Sequence, residues 1–152
     1  MKVFVMRHGD AEMMADSDKA RQLTEQGRKQ AFSQGTWLKS TALSFEKVLV
    51  SPYVRAKQTF EQIDMVFDNL LIQKSEIWEA ITPYGSAELV NDYLSVLAEK
   101  GIQNVLIISH LPLVSEIVAV LCGKSSVSFY PATIAEIHWS KEKCQVLQTK
   151  YP

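Results

Sequence analysis

Long apolar runs are missing from this 152-residue chain. The longest, Ile117 to Cys122, is six residues, against about 20 for a membrane-crossing helix, so no membrane association is expected. The N-terminal run Val3 to Met6 stops at Arg7 and His8, too short for the core of an export signal. Cysteine is scarce as well. Cys122 and Cys144 stand in no CxxC or metal-ligand spacing, and without an export signal the expectation is reduced thiols in the cytoplasm. An excess of one charge is also absent: Lys and Arg number 16, Asp and Glu 17. Without a bulk positive field, binding to nucleic acid by phosphate neutralisation is not expected. There is no repeat, low-complexity stretch or linker, so residues 1–152 are read as one domain. At 47% hydrophobic and 22% charged residues, such a domain builds a core without disulfides or structural metals.

What is present is alternation. Short β-rich runs are each followed by a segment of helical spacing. The first strand is Lys2 to Met6, with a polar loop from Gly9 to Leu23. Thr24 is a candidate N-cap for a helix to about Lys39 with Ala31, Phe32 and Leu38 inward, although Gly27 and Gly35 weaken it. The second strand, Lys47 to Val50, ends at Ser51-Pro52, and the helix after it carries Ala56, Phe60, Ile63 and Phe67 as an apolar stripe. A third strand is expected near Leu71 to Ile77, then a loop from Ala80 to Gly85. A helix follows from about Ser86 to Lys100, with Leu89, Val90, Tyr93, Leu94 and Leu97 inward and Gly101 as its stop. The fourth strand, Asn104 to Ser109, is apolar through Val105-Leu106-Ile107-Ile108, the pattern of a central parallel strand. Pro112 suits the first turn of a helix to about Leu121. Strands at Ile134 to Trp139 and Cys144 to Thr149 flank a polar turn and read as a hairpin. The expected fold is α/β, with a mixed, mostly parallel sheet covered on both faces.

Ligands of open α/β sheets sit at the carboxyl ends of the strands. Just past the first strand come Arg7, His8 and Gly9; past the second, Ser51-Pro52 and then Arg55; past the fourth, Ser109 and His110. Two arginines and two histidines thus converge on one edge. Arginine offers a planar fork matched to phosphate oxygens and keeps its charge. The helix after His110 aims its positive end at the same edge, and Gly9 would let the backbone approach a ligand. One histidine can then attack phosphorus and the other donate to the transferring oxygens. A lone histidine is usually structural, and His138 is read that way. Arg7 and His8 together are harder to bury idly. His110 lacks any partner at metal-ligand spacing, so no metal is expected.

These residues resemble the histidine phosphatase superfamily, the phosphoglycerate-mutase-like proteins. Arg7-His8-Gly9, Ser51-Pro52-Tyr53-Val54-Arg55 and Ser109-His110 follow its motifs in order along essentially the whole chain. In length, and in the stretches Met6 to Ala11, Thr82 to Gly85 and Ile108 to Val114, the chain looks like the bacterial phosphohistidine phosphatases of that superfamily. The resemblance implies a three-layer α/β/α sandwich. It implies His8 as a nucleophile that becomes phosphorylated, with Arg7, Arg55 and His110 around the phosphate and Gly9, Arg21 and Leu111 beside it. It implies no metal or other cofactor, and a histidine-phosphorylated phosphotransfer protein of bacterial signalling as substrate.

There are departures. Met14 stands where mutases carry a polar residue, which weakens a mutase reading. Arg21-Gln22-Leu23-Thr24 replaces the family's Arg-Pro-Leu-Thr. Arg21 is a candidate for touching substrate; the alternative is a surface arginine capping the loop. Glu79 follows the third strand, where superfamily phosphatases place a general acid, but it could equally be a carboxylate paired with a site arginine. Only 23 residues separate Arg55 from Glu79, too few for the helical lid of larger relatives. An uncovered site suits a phosphoprotein better than a small sugar phosphate. A small-molecule phosphomonoesterase and a phosphohistidine-binding module or phosphoryl carrier remain the alternatives. Asp18, Tyr84 and Ser86 read as solvated loop residues.

Overall fold

The computed structural model describes residues 1–41 and 44–152. Its sheet contains β1 (Lys2–Arg7), β2 (Lys47–Val50), β3 (Ser75–Ile77), β4 (Asn104–Ser109), β5 (Ile134–Trp139) and β6 (Cys144–Lys150). They lie in the order β3-β2-β4-β1-β5-β6. The first four are mutually parallel, while β5 runs antiparallel to both β1 and β6. The helices are α1 (Glu25–Ser40), α2 (Val54–Val66), α3 (Ala87–Glu99) and α4 (Leu113–Cys122).

Strand side chains alternate between faces, and the core divides accordingly. Val3, Val5, Val105 and Ile107 pack with Val90, Leu94, Val114 and Ile117 of α3 and α4. Phe4, Met6, Leu106 and Ile108 pack with Leu38, Ala56, Phe60 and Ile63 of α1 and α2. The result is the three-layer α/β/α sandwich with the mixed, mostly parallel sheet expected above. Between Arg55 and Glu79 the chain holds only the rest of α2, the 3₁₀ turn Ile72–Lys74 and β3, so no helical lid is inserted there.

Several expectations need correction. β3 is short, because Leu71 to Lys74 forms a 3₁₀ turn rather than extended chain. Phe32 and Leu89 face outward. On α1, Gly27, Gln34 and Gly35 take the inner face instead. The glycines that weaken α1 on propensity are what let it pack: a Cβ on Gly35 would stand 3.1 Å from the Ile63 Cα, where α1 meets α2. Pro112 caps α4 rather than opening it. Cys122 and Cys144 are joined in a disulfide, with Cα atoms 4.8 Å apart. The end of α4 meets the start of β6, which their 22-residue separation in sequence does not reveal. The cysteines therefore lend no support to a reducing compartment. No helix of the described residues is long and apolar enough to cross a membrane.

Candidate active site

The site is built where β1 and β4 lie side by side, Arg7 paired in register with Ser109. The chain crosses β4's place to reach β2 and later returns between the two strands, a topological switch point. Backbone hydrogen bonds fix the segments past the strands. The His8 amide donates to the Ser109 carbonyl at 3.0 Å, and the Ser51 amide to the Ile108 carbonyl at 3.1 Å. The Ala132 amide donates to the His8 carbonyl at 2.9 Å, which brings the segment before β5 to the same edge.

The four residues picked from sequence come together. The His8 and His110 ring centroids are 5.1 Å apart, and the Arg55 Nε donates to the His8 Nε2 at 3.3 Å. Arg7 Nη1 donates to the Phe129 carbonyl at 3.0 Å. His8, Arg55 and His110 are all buried. Burial lowers the proton affinity of both arginines; Asp10 opposes this at Arg7 and Asp18 at Arg55.

Protonation at His8 is set by a partner that can only accept. The His8 Nδ1 lies 2.7 Å from the Gly9 carbonyl. A carbonyl only accepts, so Nδ1 carries the proton and Nε2 keeps its lone pair. Desolvation, and then the charges of Arg55, Arg7 and Arg21, push His8 down to about 3, so the ring is neutral at physiological pH. The Ser51 hydroxyl, 2.7 Å from the His110 Nε2, already accepts from the Tyr53 amide. Its own proton can then go to Nε2, and in the tautomer that accepts it His110 Nδ1 is the donor. Desolvation, then His8 and Arg55, push His110 down to about 2. Among the described residues, His110 Nδ1 and Arg7 Nε are buried without a partner. Buried polar atoms are nearly always satisfied, and two orphans beside a neutral imidazole fit donors reserved for an anion. The set can hold a tetrahedral oxyanion and offer it a nitrogen lone pair.

The other candidates sit differently. Arg21 reaches the site's margin, donating to the Glu12 carbonyl and to Asp18. Gly9 serves packing rather than ligand approach: its amide is taken by the Thr59 hydroxyl at 3.1 Å, and a Cβ there would stand 2.6 Å from the Gly27 carbonyl oxygen. Leu111, next to His110, is 40% exposed. Glu79 is exposed in the turn Glu79–Ile81. Among the described residues it is in no ion pair, so it is not the partner of a site arginine. His138 is exposed on β5.

Sequence reasoning missed three contributors. Ser51 orients His110. Tyr53 packs its ring 5.1 Å from the His110 ring and from the Arg55 guanidinium carbon. Asp18 bonds Arg55 and Arg21. Ser51 and Tyr53 lie inside the motif that carries Arg55, which was the available signal; Asp18 had only its three-residue spacing from Arg21.

Comparison with known proteins adds to this geometry. The family model described as histidine phosphatase superfamily (branch 1) matches residues 3–82. The chain is 58% identical to the phosphohistidine phosphatase SixA homolog of Haemophilus influenzae, over 97% of this chain and 93% of that protein. It is 38% identical to the phosphohistidine phosphatase SixA of Escherichia coli K12, over 99% of each. A solved structure of the protein histidine phosphatase SixA complexed with tungstate superposes with a TM-score of 0.94 at 38% identity, covering 100% of this chain and 97% of that one.

Proposed function

This chain belongs to the histidine phosphatase superfamily, and from that premise we propose that it is a protein-phosphohistidine phosphatase working through phosphohistidine on His8. Residues 1–152 act as one catalytic domain, and the substrate is a histidine-phosphorylated phosphotransfer protein of bacterial signalling in the cytoplasm. The observation that carries the reading is the His8 ring: neutral, its Nδ1 proton held by the Gly9 carbonyl, its Nε2 lone pair 3.3 Å from Arg55.

The steps follow from that arrangement. Arg7, Arg55 and His110 Nδ1 bind the phosphoryl oxygens, with Arg21 at the rim. His8 Nε2 forms a bond to phosphorus as the substrate's nitrogen–phosphorus bond breaks. The substrate ring leaves as neutral imidazole when its far nitrogen carries a proton; the ordinary conjugate-acid pKa near 6.5 makes this an easy departure. His8 now carries phosphorus on Nε2 and a proton on Nδ1, the form from which it too can leave neutral. Water then attacks phosphorus, its protons go to the phosphate and solvent, and the Nε2 lone pair is restored. Donors placed at the phosphoryl oxygens act where charge rearranges in the transition state.

Two relatives named as phosphohistidine phosphatases, at 58% and 38% identity, support the substrate class. A SixA structure with tungstate, an oxyanion of phosphate's shape, supports the pocket. Exposed Met13, Met14, Tyr84 and Leu111 in loops at this edge suit a protein surface carrying the phosphohistidine. Glu79 is assigned water orientation in the second step, since neutral imidazole needs no general acid.

The test is inorganic phosphate release from a histidine-phosphorylated phosphotransfer protein, with a sugar phosphate in parallel. Release from the phosphoprotein alone is expected. Release mainly from the sugar phosphate would move the protein to small-molecule hydrolysis.

A further inference from the structure

Arg55 is the most buried charge at the site, its side chain 5% exposed. A buried guanidinium without a counter-charge is costly. Among the described residues, Asp18 is its only carboxylate partner, Oδ2 to Nη2 at 3.3 Å. The same carboxylate takes Arg21 through Oδ1 at 3.1 Å. Asp18 thus joins two cations that would otherwise repel each other and Arg7. Desolvation works against its charged form, but Arg21 and Arg55 outweigh it and hold the carboxyl below its ordinary value.

Two further features distinguish this carboxylate from a simple structural anchor. Its side chain is 48% exposed, so it can turn to water at little cost. The loop does not depend on it: the Asp18 backbone carbonyl accepts from Arg55 Nη1 at 2.7 Å and from the Arg21 amide at 3.2 Å. The Lys19 carbonyl accepts from the Val54 amide at 3.1 Å. Backbone bonds hold the loop, and the carboxylate is left to balance charge.

We propose that Asp18 is a resident counter-anion, which neutralises Arg55 and Arg21 in the empty site and yields Arg55 to the incoming phosphoryl group, so setting how tightly phosphate is held. This rests on the reading of the site as a phosphate pocket. Arg55 already spends Nε on His8 and Nη1 on the Asp18 carbonyl. One N–H on each of Nη1 and Nη2 is still free, so the phosphoryl group competes with the carboxylate for the charge of Arg55 rather than for a last donor. The competition weakens binding of substrate and of product phosphate alike. Product release gains, because inorganic phosphate has no protein body to add affinity.

The test is calorimetric titration of inorganic phosphate into wild type, Asp18→Asn and Asp18→Glu. Asp18→Asn keeps shape and an acceptor oxygen but loses the charge. It should bind phosphate more tightly by roughly fivefold, the worth of one half-exposed ion pair. On the phosphoprotein its KM and kcat should both fall, as release slows. Asp18→Glu should return phosphate affinity toward wild type. Unchanged or weaker phosphate binding by Asp18→Asn overturns the proposal, since a carboxylate that only positions Arg55 gives that result. Wild type that takes up no phosphate overturns the pocket reading as well.

Discussion

Charges on the sheet away from the site are matched one to one, whereas those at the carboxyl end are not. Lys47, opening β2, bonds Glu76 at 2.8 Å, and Tyr93 donates to the same carboxylate at 2.7 Å. Lys2 faces Glu136 at 3.4 Å, and Gln148 completes that carboxylate. At the other end, Arg21 and Arg55 share Asp18 and backbone carbonyls, Arg7 donates to the Phe129 carbonyl, and among the described residues Arg7 Nε and His110 Nδ1 stay unpartnered. The difference teaches what each region is for. A paired charge is finished, and its removal touches stability. A cation cluster with spare donors at a buried neutral imidazole is unfinished, and an anion completes it.

The comparison breaks most visibly at Arg55. Arg55→Ala should lower kcat/KM for the phosphoprotein by on the order of 10²–10³-fold, the usual cost of one oxyanion donor, as followed by phosphate release. A loss under about tenfold would place Arg55 with the structural charges.

Acid provides the next strain. His8 and His110 fold with depressed proton affinity, at about 3 and about 2, while unfolded histidine titrates near 6.5. Between those values the unfolded chain binds more protons, so stability is full above about pH 6.5 and falls as pH drops toward 3. Histidine resonances followed by NMR should show both rings neutral from about pH 7 down to about pH 5.5, well inside the range where ordinary histidine charges. Either ring titrating near 6.5 contradicts the burial account.

Smaller effects sharpen the contrast. Ser51→Ala frees the His110 tautomer and should reduce kcat about tenfold with KM little changed, since a transition-state donor is then misplaced. Lys47→Ala should leave turnover unaltered and cost no more than about 1 kcal/mol in denaturant unfolding. A matching loss of activity there would erase the distinction between the two regions.

Much of this contrast is legible in the sequence. Strand β4 reads plainly because a fully apolar run has one stable place, the middle of a covered sheet. The ends of β1, β2 and β4 then deliver His8, Arg55 and His110 to one edge by topology alone. The remainder depends on tertiary approach. Asp18 meets Arg55 across 37 residues, and nothing local separates it from a solvated loop acid. Gly27 and Gly35 read as helix weaknesses because propensity does not see a neighbouring helix or loop. Phe32 and Leu89 follow the apolar spacing yet face outward, since the stripe on their helices is narrower than the spacing allows. The Cys122–Cys144 bond needs the end of α4 folded against β6.

The most direct measurement is mass analysis of the protein quenched during turnover of a histidine-phosphorylated protein. The account predicts one acid-labile phosphoryl group, carried by His8, together with loss of both the adduct and phosphate release in His8→Ala. Phosphate release that continues in His8→Ala, or proceeds with no phosphorylated His8, would contradict it.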